Sequence, residues 1–173
     1  SQLKKLNPKS KYKIIIDTSF NDGDLLTSEY YKKGVSQKEI VFTSYLCHPS
    51  MVNNELVAPI LLSMLAKYLE VKKTYWSYRI IVSSETIGSI SYLSKYYDHL
   101  KKYVKAGFIV TCFGDKKDFS VVNSRYANNT ADNIIRNFSR SKNIKLNTFD
   151  WLRRGSDERQ FCSPNIELPF CTI

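Results

Sequence analysis

Residues 39–69 read EIVFTSYLCHPSMVNNELVAPILLSMLAKYL, and the stretch changes character twice. Ile40 to Leu46 is a short apolar run with the length and composition of a buried strand. Cys47-His48-Pro49-Ser50 breaks it, and Asn53, Asn54 and Glu55 follow. Leu56, Ile60, Leu61, Met64, Leu65 and Leu69 then recur at three- and four-residue spacing. That spacing predicts a helix from about Asn54 to Leu69, packed on a sheet through this stripe. Pro59 falls in the first helical turns, where its missing N–H costs little, and Asn53 or Asn54 is placed to cap the free amides. The polar cluster therefore sits where strand turns into helix, the carboxyl edge at which open α/β sheets bind ligands. His48, one of two histidines in the chain, has two readings: a clamp on a tight loop, or a group that does chemistry.

The same unit recurs downstream. Trp76 to Ser83 reads as a strand ending in Ser83-Ser84-Glu85-Thr86, and Ile87, Ile90, Leu93, Tyr97 and Leu100 mark a second helix. Lys105 to Thr111 is a third apolar strand, ending in Cys112-Phe113-Gly114-Asp115. Strand–helix–strand–helix order implies parallel neighbours joined by right-handed crossovers. The expected fold is α/β, a mostly parallel or mixed central sheet flanked by helices. The junctions at His48, Glu85 and Asp115 then share one sheet edge, within about 10 Å of each other.

Outside that core, Tyr12 to Asp17 reads as a first strand and Leu25 to Tyr31 as a weaker one. The acidic turn between them lacks the spacing of an EF-hand and reads as a solvated hairpin. Phe119 to Val122 reads as a short strand beside the third, and Ile144 to Phe149 as another. Ala131 to Phe138 reads as a helix capped by Asn129 or Thr130. Trp151 to Gln160 reads as a polar loop, followed by a tail over residues 161–173.

At 173 residues, with 43% hydrophobic and 24% charged, the chain is expected to form one domain over residues 1–173. It has no apolar run long enough to span a membrane. Its N-terminus, SQLKKLNPKSKY, lacks a signal peptide's apolar core and reads as a basic lead-in. The four cysteines show no CxxC or zinc-finger spacing, which suits a reducing, cytoplasmic setting. The net charge of +10 comes largely from lysine pairs such as Lys4-Lys5, Lys32-Lys33, Lys72-Lys73, Lys101-Lys102 and Lys116-Lys117. They are spread along the chain, whereas a nucleic-acid surface gathers a basic stripe with aromatic platforms. Neither nucleic acid nor membrane is an expected partner.

An imidazole and separated carboxylates at one sheet edge suit a cation such as zinc. Glu85 could equally be a general base, or a carboxylate favoured at a helix N-terminus on electrostatic grounds alone; Asp115 could be a turn residue. Cys47 beside His48 gives no dyad signal, because strand neighbours point to opposite faces. His99, late in the second helix, reads as a surface or helix-terminal residue away from the site. Ser156 lacks the nucleophile-elbow pattern, and no histidine follows it. Asp157 and Glu158, between Arg153, Arg154 and Arg159, either bind a charged substrate end or lock their loop by ion pairs.

CHPSMVNNEL, SETIGSISYL, TCFGD and GSDERQFCSP resemble, in order, the aminopeptidase-like proteins of a bacterial and archaeal family of unknown function. That family is similar in fold to the dinuclear zinc exopeptidases, and the match runs from about Tyr12 to Pro169. The resemblance implies a zinc-dependent hydrolase acting on a peptide or small amide. His48 and Asp115 would be metal ligands and Glu85 the catalytic base. Asn54 would stand at the position of a metal-bridging aspartate, and Asp157, Glu158 and Arg159 would lie beside the substrate. The chain departs from the pattern at Asn54, an amide where the family has a carboxylate, and at Thr86, where zinc aminopeptidases carry a second glutamate. Glu85 could then be a ligand instead. The family's later histidine, in a Y-H-T-S segment, does not occur before Ile173, so the resemblance implies a piece of a longer chain or a lost site. At most one weakly held metal is expected. The alternative is a non-catalytic relative serving as a ligand-binding or scaffold domain.

Overall fold

The structure, a computed structural model, describes residues 7, 9–115 and 118–173. Residues 1–6 and 8 of the basic lead-in and the Lys116-Lys117 pair lie outside the described residues. In chain order the elements are β1 (Ser28–Lys32), β2 (Glu39–Tyr45), a π-helical turn (Val52–Leu56) running into α1 (Val57–Glu70), β3 (Ser77–Ser83), α2 (Ile87–Tyr103) and β4 (Val104–Ile109). Then come β5 (Phe119–Val122), α3 (Thr130–Lys142), β6 (Leu146–Phe149), a 3-10 turn (Trp151–Arg153), the one-turn α4 (Glu158–Phe161) and β7 (Phe170–Thr172).

The strands make one mixed sheet in the order β1-β3-β2-β4-β7-β5-β6. β2 is parallel to β3 on one side and to β4 on the other, as the repeated unit predicts. Pairing Tyr45 with Ser83 and Thr43 with Ile109 brings three carboxyl ends together. β1 runs antiparallel along β3 at one edge. β7 lies parallel to β4, and β5 joins β7 antiparallel through Val122 and Thr172.

Alternation along the strands sorts the core into two layers. Ile80, Ala106 and Phe108 pack with Ala58 and Leu62 of α1 and Ala131 of α3. Val41, Ile81 and Ile109 pack with Tyr92, Leu93 and Leu100 of α2 and Phe161 of α4. The step from β2 to β3 and the step from β3 back past β2 to β4 run in opposite directions. Right-handed crossovers therefore put α1 and α2 on opposite faces. No helix among the described residues is long and apolar enough to cross a membrane.

Several local expectations change. Tyr12 to Asp17 forms no strand, and Ile14, Ile15 and Ile16 are exposed; a β-rich composition makes a strand only where a ladder partner exists. α1 turns Ala58, Pro59, Leu62 and Leu69 inward, while Leu56, Ile60, Leu61 and Met64 of the expected stripe face outward. The helix is apolar on more than one side, and its small residues allow the closest approach to the sheet. Neither Asn53 nor Asn54 caps it; both lie inside the π-helical turn. α3 starts at Thr130 and, as expected, is capped by Asn129, whose side chain accepts the Asp132 N–H in a capping box. β5 pairs with β6 and β7, not with β4. The expected polar loop folds back to bury Ser156, Asp157 and Glu158. The cysteines are free.

His99 does lie at the opposite, amino edge, but it is no idle surface group. Its Nε2 stands 2.7 Å from the carboxylate of Glu39, a residue 1% exposed, which also receives Arg79 Nε at 2.8 Å and Nη2 at 3.0 Å. Burial works to raise the Glu39 pKa, and the bonds and charges of Arg79 and His99 outweigh it, leaving the carboxyl below its ordinary value.

β7 enters the sheet by way of one glycine. The Phe170 ring lies over Gly107, where a Cβ would stand 2.4 Å from three ring carbons. On its other side the ring stacks on Phe161, centroids 4.4 Å apart. Gly107→Ala is therefore expected to destabilise the chain by about 1–3 kcal/mol through overpacking, read as a lower urea midpoint. An unchanged midpoint would show that the ring can slide away.

Candidate functional site

The first two junctions leave the sheet together: β2 ends at Tyr45, and the next N–H, of Leu46, donates to Ser83 O at 2.9 Å. The chain turns through Ser50, which has a positive φ of 67°, and enters the π-helical turn. Such wide turns often occur at functional sites. This one carries Glu55 back over Cys47. Glu55 is 3% exposed; its Oε2 accepts the Cys47 N–H at 2.6 Å, and its Oε1 lies 3.8 Å from Cys47 Sγ. One donor atom each from Cys47, His48 and Glu55 lies within 4.8 Å of the others. His48 is exposed on a cavity of ≈ 390 Å³ that this loop lines. Partial burial pushes the Cys47 thiol pKa up, and the carboxylates of Glu55 and Glu85 act in the same direction.

Glu85 stands at the second junction, its Oε2 3.7 Å from His48 Nε2. The backbone behind it is strained. Thr86 has φ 62° and ψ −64°, and the Ile87 N–H donates to Glu85 O at 2.6 Å, a positive-φ γ-turn of the kind that persists only when its surroundings impose it. Asp157 imposes it. Asp157 Oδ1 accepts the Thr86 N–H at 2.8 Å and the Ser89 hydroxyl at 3.0 Å. Asp157 is 0% exposed, and its Oδ2 is buried without a partner. Burial pushes its pKa up to about 6; the Thr86 and Ser89 bonds oppose this, and the charges of Glu85 and Glu158 add to it.

The other expected site residues are placed differently. Asn54 Oδ1 accepts a hydrogen bond from the Thr111 hydroxyl at 3.3 Å, and that hydroxyl is 2.7 Å from Tyr45 OH. Burial pushes the Tyr45 phenol up to about 12. Asp115 is exposed and lines a separate cavity of ≈ 430 Å³ with Thr111, Cys112 and Gly114. It is not part of the donor cluster at His48. Glu158 is buried: its Oε1 accepts the N–H groups of Gly155 at 2.6 Å and Ser156 at 2.9 Å, and its Oε2 accepts the Thr172 hydroxyl at 2.7 Å. Asp157 and Glu158 thus hold backbone and hydroxyl groups in place of the flanking arginines. Arg159 is exposed, its guanidinium on the carbonyls of Ser156 and Gly155.

The sequence brings His48 and Glu85 to one edge, as the alternation implies. It places Cys47 and Glu55 in the same polar junction but does not pair them. The strand ends before Cys47, so the rule that sends strand neighbours to opposite faces no longer applies there. The one available signal is a carboxylate eight residues later, at the start of an apolar helix.

The family described as Domain of unknown function (DUF4910) matches residues 8–173. A Clostridium acetobutylicum protein, provisionally described as a polysaccharide biosynthesis protein with an aminopeptidase-like domain, is 40% identical over 158 residues, covering 91% of this chain and 36% of its own length. A crystal structure from the same organism, of a protein provisionally called a peptidase, superposes with a TM-score of 0.80 at 38% identity, over 84% of this chain and 34% of that one. The chain thus spans about a third of the length of these relatives. A Bacteroides vulgatus structure, provisionally called a zinc-dependent exopeptidase, shares the fold with a TM-score of 0.57 at 16% identity, over 85% of this chain and 62% of that one.

The buried Asp157 has a consequence for stability. Its folded pKa of about 6 lies above the ordinary 3.8. Its protonation therefore favours the folded state fully below pH 3.8, and that contribution is lost as pH rises through about 6. Asp157→Asn keeps an acceptor for Thr86 and Ser89 but carries no charge. Urea titrations across this window should show a loss of up to about 1.4 kcal/mol per pH unit that is present in the wild type and missing in the variant. Equal slopes in both would show that Asp157 is already ionised at the lower end.

Proposed function

Because the chain belongs to this aminopeptidase-like family of unknown function, we propose that it carries a metal-dependent hydrolase centre acting on peptide or small amide bonds. The observation that supports this most is the His48–Glu85 pair, 3.7 Å apart at the carboxyl edge of a mainly parallel sheet, beside an open cavity. A zinc ion suits the groups present there: an imidazole, a thiol and a carboxylate within 4.8 Å of one another. Such an ion would supply Lewis-acid polarisation of a carbonyl and lower the pKa of water.

Glu85 is the base in this reading. Its carboxylate takes the proton of an attacking water and returns it to the departing amine. Thr86 and Asp157 hold that carboxylate's backbone in one conformation. His48 would be a metal ligand; the resemblance would give Asn54 and Asp115 the same role, but Asn54 is turned to Thr111 and Asp115 lines the separate cavity. Of Asp157, Glu158 and Arg159, the exposed Arg159 is the group suited to meet a substrate carboxylate. The name of the Clostridium relative also makes an acylated amino sugar a reasonable amide to try.

Asn54 favours a second reading. Its neutral side chain is hydrogen-bonded to Thr111, and a neutral amide is a poor zinc ligand, which fits a relative that binds a ligand without cleaving it.

The test is hydrolysis of aminoacyl anilides, dipeptides and N-acetylated amino sugars by zinc-loaded protein. Glu85→Gln is expected to lower the rate by about 10²–10⁴-fold at unchanged zinc content. Zinc-loaded wild type that turns over none of these would transfer the conclusion to the second reading.

A further inference from the structure

Asn54 leaves the site one negative ligand short, and the donors that do cluster include two groups the resemblance does not use. We propose that the divalent ion is held by Cys47, His48 and Glu55, a sulfur–nitrogen–oxygen set beside Glu85. This rests on the metal-dependent reading above and names the ligands of that same site.

The geometry is close to what is needed. Bonds of 2.0–2.3 Å in a tetrahedral arrangement put ligand atoms about 3.5 Å apart. Cys47 Sγ and Glu55 Oε1 are 3.8 Å apart, and the three donors all lie within 4.8 Å, so closure takes movements of about 1 Å. Glu55 is already oriented: its other oxygen holds the Cys47 N–H at 2.6 Å, the kind of support that fixes a ligating carboxylate. Its placement follows from the π-helical turn over Val52–Leu56, which sets it one wide turn before α1. Asn54 faces away from this set, toward Thr111 and Cys112, and Asp115 lines the other cavity.

Charge and donor chemistry agree with the assignment. A neutral imidazole with a thiolate and a carboxylate supplies two negative charges, which balance a divalent ion. Binding would displace the Cys47 thiol proton to solvent. Glu85, 3.7 Å from His48, would remain outside the ligand set and available as base.

Cobalt(II) reports thiolate ligation directly. Titrating metal-free protein with cobalt(II) is expected to give a near-ultraviolet sulfur-to-metal charge-transfer band together with visible bands of tetrahedral intensity. Cys47→Ser should abolish the charge-transfer band and weaken cobalt and zinc binding by about 10-fold or more. Cys112→Ser, the control at the other exposed thiol, should leave both unchanged. Glu55→Gln, which keeps an acceptor for the Cys47 N–H, should retain the band at reduced affinity. Circular dichroism of each metal-free variant checks folding. Cobalt bound tightly without the band, or a band removed by Cys112→Ser, overturns this ligand set while leaving a metal site standing. No cobalt or zinc bound at all overturns the metal-dependent reading as well.

Discussion

The site hangs on the stack of Phe170 between Gly107 and Phe161. β7 has only three residues, yet it occupies an interior place in the sheet. It can do so because β4 offers a position with no side chain, onto which an aromatic ring settles. Phe161, on the ring's other side, belongs to α4, so seating β7 also fixes the segment that precedes it. That segment carries Asp157, whose carboxylate reaches the Thr86 amide and holds the turn behind Glu85. Thr172 of the same strand takes up the Glu158 carboxylate. A packing contact in the core is in this way relayed, through three side chains, to the backbone of a surface carboxylate.

Three carboxylates are buried around this edge, and they differ in how they are accommodated. Glu158 is saturated by two backbone amides and a hydroxyl. Glu55 accepts one amide and faces a thiol and an imidazole. Asp157 satisfies one oxygen and leaves the other bare, and burial raises its pKa. Among the described residues none of them is paired with an arginine or lysine, unlike Glu39 at the far edge, which has a bidentate arginine. With Glu55, Glu85, Asp157 and Glu158 gathered there, the candidate site is locally rich in carboxylates. A locally acidic pocket favours cations over anions.

The parallel core was readable because it is built from local repeats: each apolar run of strand length is followed by a polar junction and a helical period, and these imply parallel direction, right-handed crossovers and the edge where His48 and Glu85 meet, though not the order β3-β2-β4. What was not readable depends on long-range partners. Asp157 and Thr86 are 71 residues apart, and nothing in either segment announces the other. β7 carries no alternation of its own. The inward face of α1 was misassigned because Leu56, Ile60 and Met64 outweigh Ala58 in hydrophobicity, although the smaller residue packs closer to the sheet. Tyr12 to Asp17 has the residues of a strand without a neighbour to complete it. Cys47 and Glu55 meet only because the chain takes a π-helical turn, which no periodicity argument foresees.

The sheet has a weak seam with a dynamic consequence. β5 and β6 pair along their length, but among the described residues the pair Val122 and Thr172 alone joins them to the rest of the ladder. Beneath them is an apolar cavity of ≈ 310 Å³ lined by Phe113, Phe119, Ile135 and Phe138. α3 is tied down separately, by Asn129 on the Phe170 carbonyl and Ala131 in the core. In terms of amide exchange this pairing implies two tiers: β2, β3 and β4, each laddered on both sides, and a two-stranded ribbon tied to the sheet, among the described residues, through one ladder contact. The Asp115 cavity abuts Phe119 and Ser120 of that ribbon, so its shape varies with the less protected tier, while the His48–Glu85 edge is anchored to the more protected one.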